Sequence, residues 1–243
     1  MPPGSCTETG PVPTGTYPEV TLMADPTRAP EGGHPVFAFV YDAMTRGAEN
    51  RVIGSERRRL ILGCEGRVLE LGAGTGASFP AWLEAVSAGR VKELVAVEPD
   101  VHMRRRAQAR ARALGLTVAF EPRPAEALPF PDHAFDTVAA FLVLCSVTHP
   151  AQALAQALRV LRPGGTLVFM EHVRADGRRA RWQGRLAPVW ARVGAGCRLD
   201  RDTVAEITSA GFTDLSVQYR PLPFPLYRLA VGSARRPKAG TGE

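Results

Sequence analysis

Lysine is almost missing from this chain. Lys92 and Lys238 are the only two among 30 basic residues in a sequence of 243. The formal net charge of +6 therefore rests on arginine. That bias has two readings: a base-composition preference, or recognition of phosphate or carboxylate by the guanidinium fork. Cysteine is sparse as well. Cys6, Cys64, Cys145 and Cys197 are scattered, without a C-x-x-C pair, so neither a disulfide framework nor a structural zinc site is expected. Cys145 and His149 lie four apart, a spacing that would set both on one helical face. A metal site needs three or four ligands, and no second pair accompanies them, so no metal is expected. Long hydrophobic runs are missing too. The longest uncharged, mainly apolar stretch runs from Thr137 to Val147, well short of the ~20 residues of a membrane span. No basic segment followed by an apolar run opens the chain, so no signal peptide is expected and the expected location is cytoplasmic.

What is present reads as one α/β domain between two tails. Residues 1–33 are rich in Pro, Gly, Thr and Ser and cannot bury enough surface to offset the entropy of ordering. Residues 237–243 read the same way. Between them, short apolar runs alternate with helical stretches. Strands are expected at Arg67–Leu71, Glu93–Val97, Leu116–Phe120, Phe135–Leu142, Gly165–Glu171, Leu215–Tyr219 and Leu226–Val231. Helices are expected at Ala77–Ala88, Asp100–Leu114 (with Asp100 as N-cap), Ala151–Leu161 and Thr203–Ala210. Nearly continuous apolar strands with intervening helices imply a parallel, doubly wound sheet covered on both faces. Only a Pro-rich link, Pro221 to Pro225, separates the last two strands, which suits an antiparallel pairing.

The central motif is Glu70-Leu71-Gly72-Ala73-Gly74-Thr75-Gly76. Glycines so spaced let the backbone turn tightly and approach a ligand. Gly72, Gly74 and Ala77 also fit the dinucleotide pattern G-x-G-x-x-A. Glu70 separates the readings: a carboxylate before the loop would repel a pyrophosphate but suit a cationic amine. Glu98 closes the second strand, where an ionised carboxylate can accept from two ribose hydroxyls, and Pro99 fixes the turn.

With these residues the chain resembles the class I S-adenosylmethionine-dependent methyltransferases over roughly residues 34–236. Ala125-Glu126-Ala127-Leu128-Pro129-Phe130 is similar to the adenine-side loop of that family. Phe135-Asp136-Thr137-Val138 is similar to the start of its fourth strand, and Leu161-Arg162-Pro163-Gly164-Gly165 to the turn into its fifth. The resemblance implies a seven-stranded, mostly parallel sheet with an antiparallel last strand. It implies S-adenosylmethionine as cofactor, with contacts from Glu70, Gly72, Ala73, Gly74, Thr75, Gly76, Glu98, Pro99, Met103, Ala125, Glu126, Leu142 and Val143. Tyr41 belongs to a helical cap expected over residues 34–66; it would reach the methionine carboxylate, or else pack under the sheet with Phe37, Phe39 and Val40.

A narrower resemblance is to the methyltransferase-like group that contains the animal thiol methyltransferases. It is carried by Leu142–Val147, Phe169-Met170-Glu171-His172-Val173, and Gly196-Cys197 followed by Arg201. Ser78 and Arg198 depart from the bacterial relatives, which usually have Asn and often have His there. The animal enzymes carry an N-terminal membrane anchor where this chain has its Pro/Gly-rich tail.

Ligands of open α/β sheets bind beyond the carboxyl ends of the strands. His172 follows the fifth strand there and is the candidate catalytic residue. The insertion over residues 173–200 holds Trp182, Pro188 and Trp190 and reads as a hydrophobic lid. Trp182, Trp190 and Cys145 are the candidate substrate contacts. Methyl transfer requires alignment and exclusion of water. A thiol, partly ionised near neutrality, needs little further help. An aliphatic hydroxyl needs a positioned base, for which only His172 or His149 is available. The expected acceptor is therefore a small lipophilic thiol, with an O- or N-acceptor as the alternative.

Two rivals remain. A nucleic-acid enzyme is suggested by Arg57-Arg58-Arg59, Arg104-Arg105-Arg106, Arg178-Arg179 and Arg181, but the triplets suit solvated helix faces, and no appended binding domain accompanies them. No nucleic-acid partner is expected. The other rival is a protein that binds the cofactor without catalysis.

Overall fold

A computed structural model describes residues 52–194 and 196–238. The tails over 1–33 and 239–243, Tyr41 and most of the expected cap lie outside the described residues. The elements run α1 (Gly54–Ile61), β1 (Gly66–Leu71), α2 (Phe79–Ser87), β2 (Val91–Val97), α3 (Val101–Leu114), β3 (Ala119–Glu121) and β4 (Phe135–Phe141). They continue with α4 (Pro150–Val160), β5 (Leu161–His172), α5 (Gly177–Val193), α6 (Thr203–Ser209), β6 (Thr213–Pro221) and β7 (Arg228–Arg235). The strands form one seven-stranded sheet in the order β3-β2-β1-β4-β5-β7-β6. β1 pairs in parallel with β2 and β4, and β4 with β5. β7 runs antiparallel to both β5 and β6. This is the expected doubly wound architecture.

The helices follow local chemistry. The Asp100 carboxylate accepts from the N–H groups of His102 and Met103 and caps α3. Gly115, at φ 66°, ends α3 in the left-handed conformation that only glycine adopts freely. Ala107 and Ala111, four apart, bury its inner face, while its arginines line the rest. In α4, Ala153, Leu154, Ala157 and Val160 form the buried stripe.

Strand alternation sorts the core into two layers. Val68, Ala96, Ala139, Val168 and Met170 face α1 to α3, with Phe79, Trp82 and Ala85 above them. Leu69, Leu71, Val95, Val138, Leu167 and Phe169 face α4 and α6. Glu70, between Leu69 and Leu71, points to the α2 side. No helix among the described residues is long and apolar enough to cross a membrane.

Several expected boundaries move. β3 starts three residues late, at Ala119, and β5 begins at Leu161, taking in the Arg162–Gly165 turn. The expected lid is one 17-residue helix, α5, with Pro188 inside it.

Candidate active site

The glycine loop joins β1 to α2. Gly72, Gly74 and Gly76 all have positive φ, 61°, 57° and 81°. At Gly72 an added Cβ would lie 2.4 Å from Val143 Cγ2, so glycine lets the loop after β4 close on the loop after β1. At Gly74 an added Cβ would meet, among the described residues, only Met103 Sδ, at 3.9 Å. Room for a ligand therefore lies over Gly74, beside Met103. The Ala73 N–H is spent on the Val97 carbonyl at 3.0 Å; Thr75 is buried.

Glu98 closes β2 beside this loop. Its Oε2 accepts from Gly74 N–H at 2.8 Å and its Oε1 from Asp100 N–H at 2.9 Å. Each oxygen keeps lone-pair capacity, which is what a pair of adjacent hydroxyls requires. Burial pushes the Glu98 carboxyl up, against the lowering effect of those two N–H groups. Arg104 donates to the carbonyls of Glu98 and Pro99 and fixes the turn.

Glu70 lies beneath the loop, 2% exposed. Its Oε2 accepts from Trp82 Nε1 at 3.0 Å. Burial raises its carboxyl to about 7, against the pull of Ser78, Arg57 and Trp82. Arg57 is itself buried, which corrects the reading of the 57–59 triplet as a solvated face. Arg58 and Arg59 do reach outward, to Glu84 and Glu56.

In the loop expected to border an adenine, Ala125 is buried. Glu126 Oε1 accepts from the N–H groups of Thr148 and His149 at 3.1 and 3.2 Å. Glu126 thus steadies the entry to α4, a task the motif alone did not indicate. His149 stands at the N-cap position of α4 and Cys145 in the turn before it. The two do not share a helical face.

The loop after β4 is organised by Glu171, a residue not singled out from sequence. It is fully buried. Its Oε1 accepts from Val143 and Leu144 N–H, and its Oε2 from Cys145 N–H, at 3.0–3.1 Å. Burial first, then the neighbouring Cys145, drives its carboxyl well above the usual range. Leu142 takes φ 59° and donates to the Met170 carbonyl at 2.8 Å. Arg201 donates to the carbonyls of Leu144 and Val147 from the other side.

His172 ends β5 with Nδ1 3.5 Å from Cys197 Sγ. Its Nε2 is buried without a hydrogen-bond partner among the described residues. Cys145, Ala187, Cys197 and Leu199 form a small apolar cluster with Trp190 and Leu226 against it. The Cys145 hydrogen bond is the largest effect on the Cys197 thiol and lowers it, with help from Trp190 and Arg201. The same hydrogen bond, with burial, raises Cys145. Of the two proposed lid tryptophans, only Trp190 is brought here. Trp182 is 55% exposed, with Arg185 over its ring at 5.6 Å. The period of α5 puts it on the outer face, away from the cysteine cluster.

Helix α5 is anchored by a residue missed in the sequence. Gln183 is fully buried. Its Oε1 accepts from Ala175 N–H at 2.7 Å, and its Nε2 donates to the Leu226 carbonyl at 3.1 Å.

The comparisons with known proteins agree with this geometry. A methyltransferase domain family matches residues 69–169. The human thiol S-methyltransferase TMT1B is 34% identical over 188 residues, covering 72% of this chain and 74% of the human one. The rat enzyme of the same name is 34% identical over 65% of this chain and 64% of its own length. Among solved structures, a geranyl diphosphate methyltransferase with sinefungin bound is 15% identical, with a TM-score of 0.58 over 75% of this chain and 77% of that one. The [4+2]-cyclase SpnF superposes with a TM-score of 0.60 at 22% identity, over 75% of this chain and 80% of that one; at that identity the likeness is of fold alone. The fold and the glycine loop define a class I methyltransferase. The chain belongs to the S-adenosylmethionine-dependent methyltransferase family, with S-adenosylmethionine as its cofactor. Within that family it is similar to the thiol S-methyltransferases.

Proposed function

We propose that this methyltransferase carries the methyl group to the sulfur of a small lipophilic thiol. The observation that favours sulfur is the chemistry at the ends of β4 and β5. The carboxylate there, Glu171, has both oxygens committed to backbone N–H groups. That leaves two thiols, one histidine and apolar side chains around the acceptor position. Among the described residues such a surface provides no carboxylate base for an aliphatic hydroxyl, and a thiol needs the least assistance. The thiol S-methyltransferase names of the similar animal enzymes support the same reading.

In this reading Glu98 accepts from the ribose hydroxyls, and the Gly72–Gly76 loop lies along the methionine part. Glu70 supplies negative potential towards the ammonium from beneath the loop. Ala125 and Glu126 border the adenine, and Leu142, Val143, Pro99 and Met103 wall the space between. The bound cofactor supplies a methyl group already activated by its sulfonium. The protein's part is positional: the β4 loop fixes the line of attack, and α5 with Trp190 keeps water out. His172 stands where it can take the thiol proton.

A panel of lipophilic thiols, phenols and amines, assayed with methyl-labelled cofactor, tests the assignment. The label is expected in thioether products, and His172→Ala is expected to lower turnover while cofactor affinity survives. Label found only on oxygen or nitrogen would reject the thiol reading.

A further inference from the structure

Cys145, His172 and Cys197 come from three separate segments: the turn after β4, the end of β5 and the turn after α5. Their ligand atoms lie within 4.8 Å of one another, although the sequence spacing suggested no such group. Cys197 Sγ stands 3.5 Å from His172 Nδ1. A tetrahedral ion with Zn–S of about 2.3 Å and Zn–N of about 2.0 Å sets its S···N edge at roughly 3.6 Å. The observed pair already has the length of that edge.

The three segments are also stitched together by main-chain contacts. Arg198 N–H donates to the Cys145 carbonyl at 2.8 Å. Glu171 holds the Cys145 N–H. Gly196, at φ 80°, lets the second cysteine's turn close on the first. An added Cβ there would lie 3.0 Å from the Ser146 carbonyl oxygen.

We propose that Cys145, Cys197 and His172 form a three-ligand site for a zinc-class thiophilic cation, with the fourth position open to the acceptor's sulfur. The second half rests on the thiol reading above. Two sulfurs and an imidazole are a soft set that selects zinc or copper(I) over magnesium or calcium. Two thiolates and a neutral imidazole also balance a divalent charge. With His172 then a ligand in place of a base, an acceptor thiol joining as fourth ligand gives its proton to solvent and remains a thiolate. Its sulfur forms the new S–CH3 bond as the cofactor's S–CH3 bond breaks, and that electron pair stays on the cofactor sulfur. The product thioether is neutral, binds weakly and leaves.

The test uses the full chain, reduced, stripped with a chelator and titrated with cobalt(II) as the probe. One equivalent is expected, with thiolate-to-metal charge-transfer absorption. Cys145→Ala and Cys197→Ala should each weaken binding about 100-fold, and Cys64→Ala, a buried cysteine elsewhere, should not. Should a cysteine variant fail to fold by circular dichroism, His172→Asn serves instead: it should keep the thiolate band, weaken binding and alter the ligand-field bands. A folded wild-type chain with no charge-transfer band, or variants that bind like wild type, would overturn the site. Full-rate thiol methylation by the metal-free protein would overturn the open fourth position while sparing the thiol reading. Binding at the three residues with methylation of other acceptors only would reject the thiol reading and leave the metal site standing.

Discussion

Glu98 shows how much one carboxylate carries. It ties the glycine loop to the end of β2 through Gly74 and to the start of α3 through Asp100. In the proposed complex it also takes two ribose hydroxyls. A hydrogen bond to a charged group contributes about 1.5–3 kcal/mol, so removing the charge while keeping the shape should cost on the order of 100-fold in cofactor affinity. Glu98→Gln is expected to show that loss by calorimetry, with a fold unchanged by circular dichroism. An unaltered dissociation constant would remove Glu98 from the cofactor site. The proposed ribose contact was read from the sequence, where the acid closes the second strand beside the glycine loop; the two backbone N–H groups it collects were not. The role of Glu171 was not legible, because nothing in Phe169-Met170-Glu171-His172 says that the acid turns back to collect three N–H groups from a loop 26 to 28 residues earlier.

At the scale of elements, hydrophobic period found every strand and the four helices over 77–88, 100–114, 151–161 and 203–210, and missed mainly at their ends. β3 was misplaced because only three of its residues pair, so tertiary pairing and not local pattern sets its limits. The lid was expected as an aromatic insertion; the structure makes it a helix whose two tryptophans part company. Trp190 faces the cysteines, and Trp182 faces outward among Arg178, Arg181 and Arg185. The inner face is set by Gln183, a polar residue that apolar periodicity passes over. Its amide satisfies Ala175 N–H and the Leu226 carbonyl in the interior. Gln183→Leu would leave the Ala175 N–H buried and unpaired, at about 1–3 kcal/mol, while the Leu226 carbonyl keeps the Arg228 N–H. The variant is expected to unfold earlier on heating and to exchange amide hydrogens faster across Gly177–Val193. Protection of that helix equal to wild type would show that Gln183 does not anchor it.

Across the whole molecule, the arginine excess separates into two populations. Arg105 and Arg110 are exposed on α3, as the sequence suggested. Others clamp main-chain carbonyls: Arg159 those of Leu128 and Phe130, Arg201 those of Leu144 and Val147, Arg236 those of Leu158, Arg159 and Leu161. A guanidinium can serve several carbonyls at once where an ammonium is a single point. Arg57 belongs to neither population, since it lies buried near Glu70. That interior charge balance predicts how global stability varies with pH. Glu70 titrates at about 7 in the folded chain, against an ordinary 4.5. Between those values the folded state holds a proton that the unfolded state has lost, so stability falls as pH rises through the window and levels off above it. The full swing is about 3 kcal/mol at most. Burial raises Glu98 in the same sense, so the slope does not rest on Glu70 alone. Denaturant titrations of the cofactor-free protein from pH 5 to 8 should show the decline. Glu70→Gln, which keeps an acceptor for Trp82 without the charge, should remove its share of the decline, leave the share of Glu98 and Glu171, and be the more stable chain at pH 8. A variant whose stability falls as steeply as wild type would place the titrating group elsewhere.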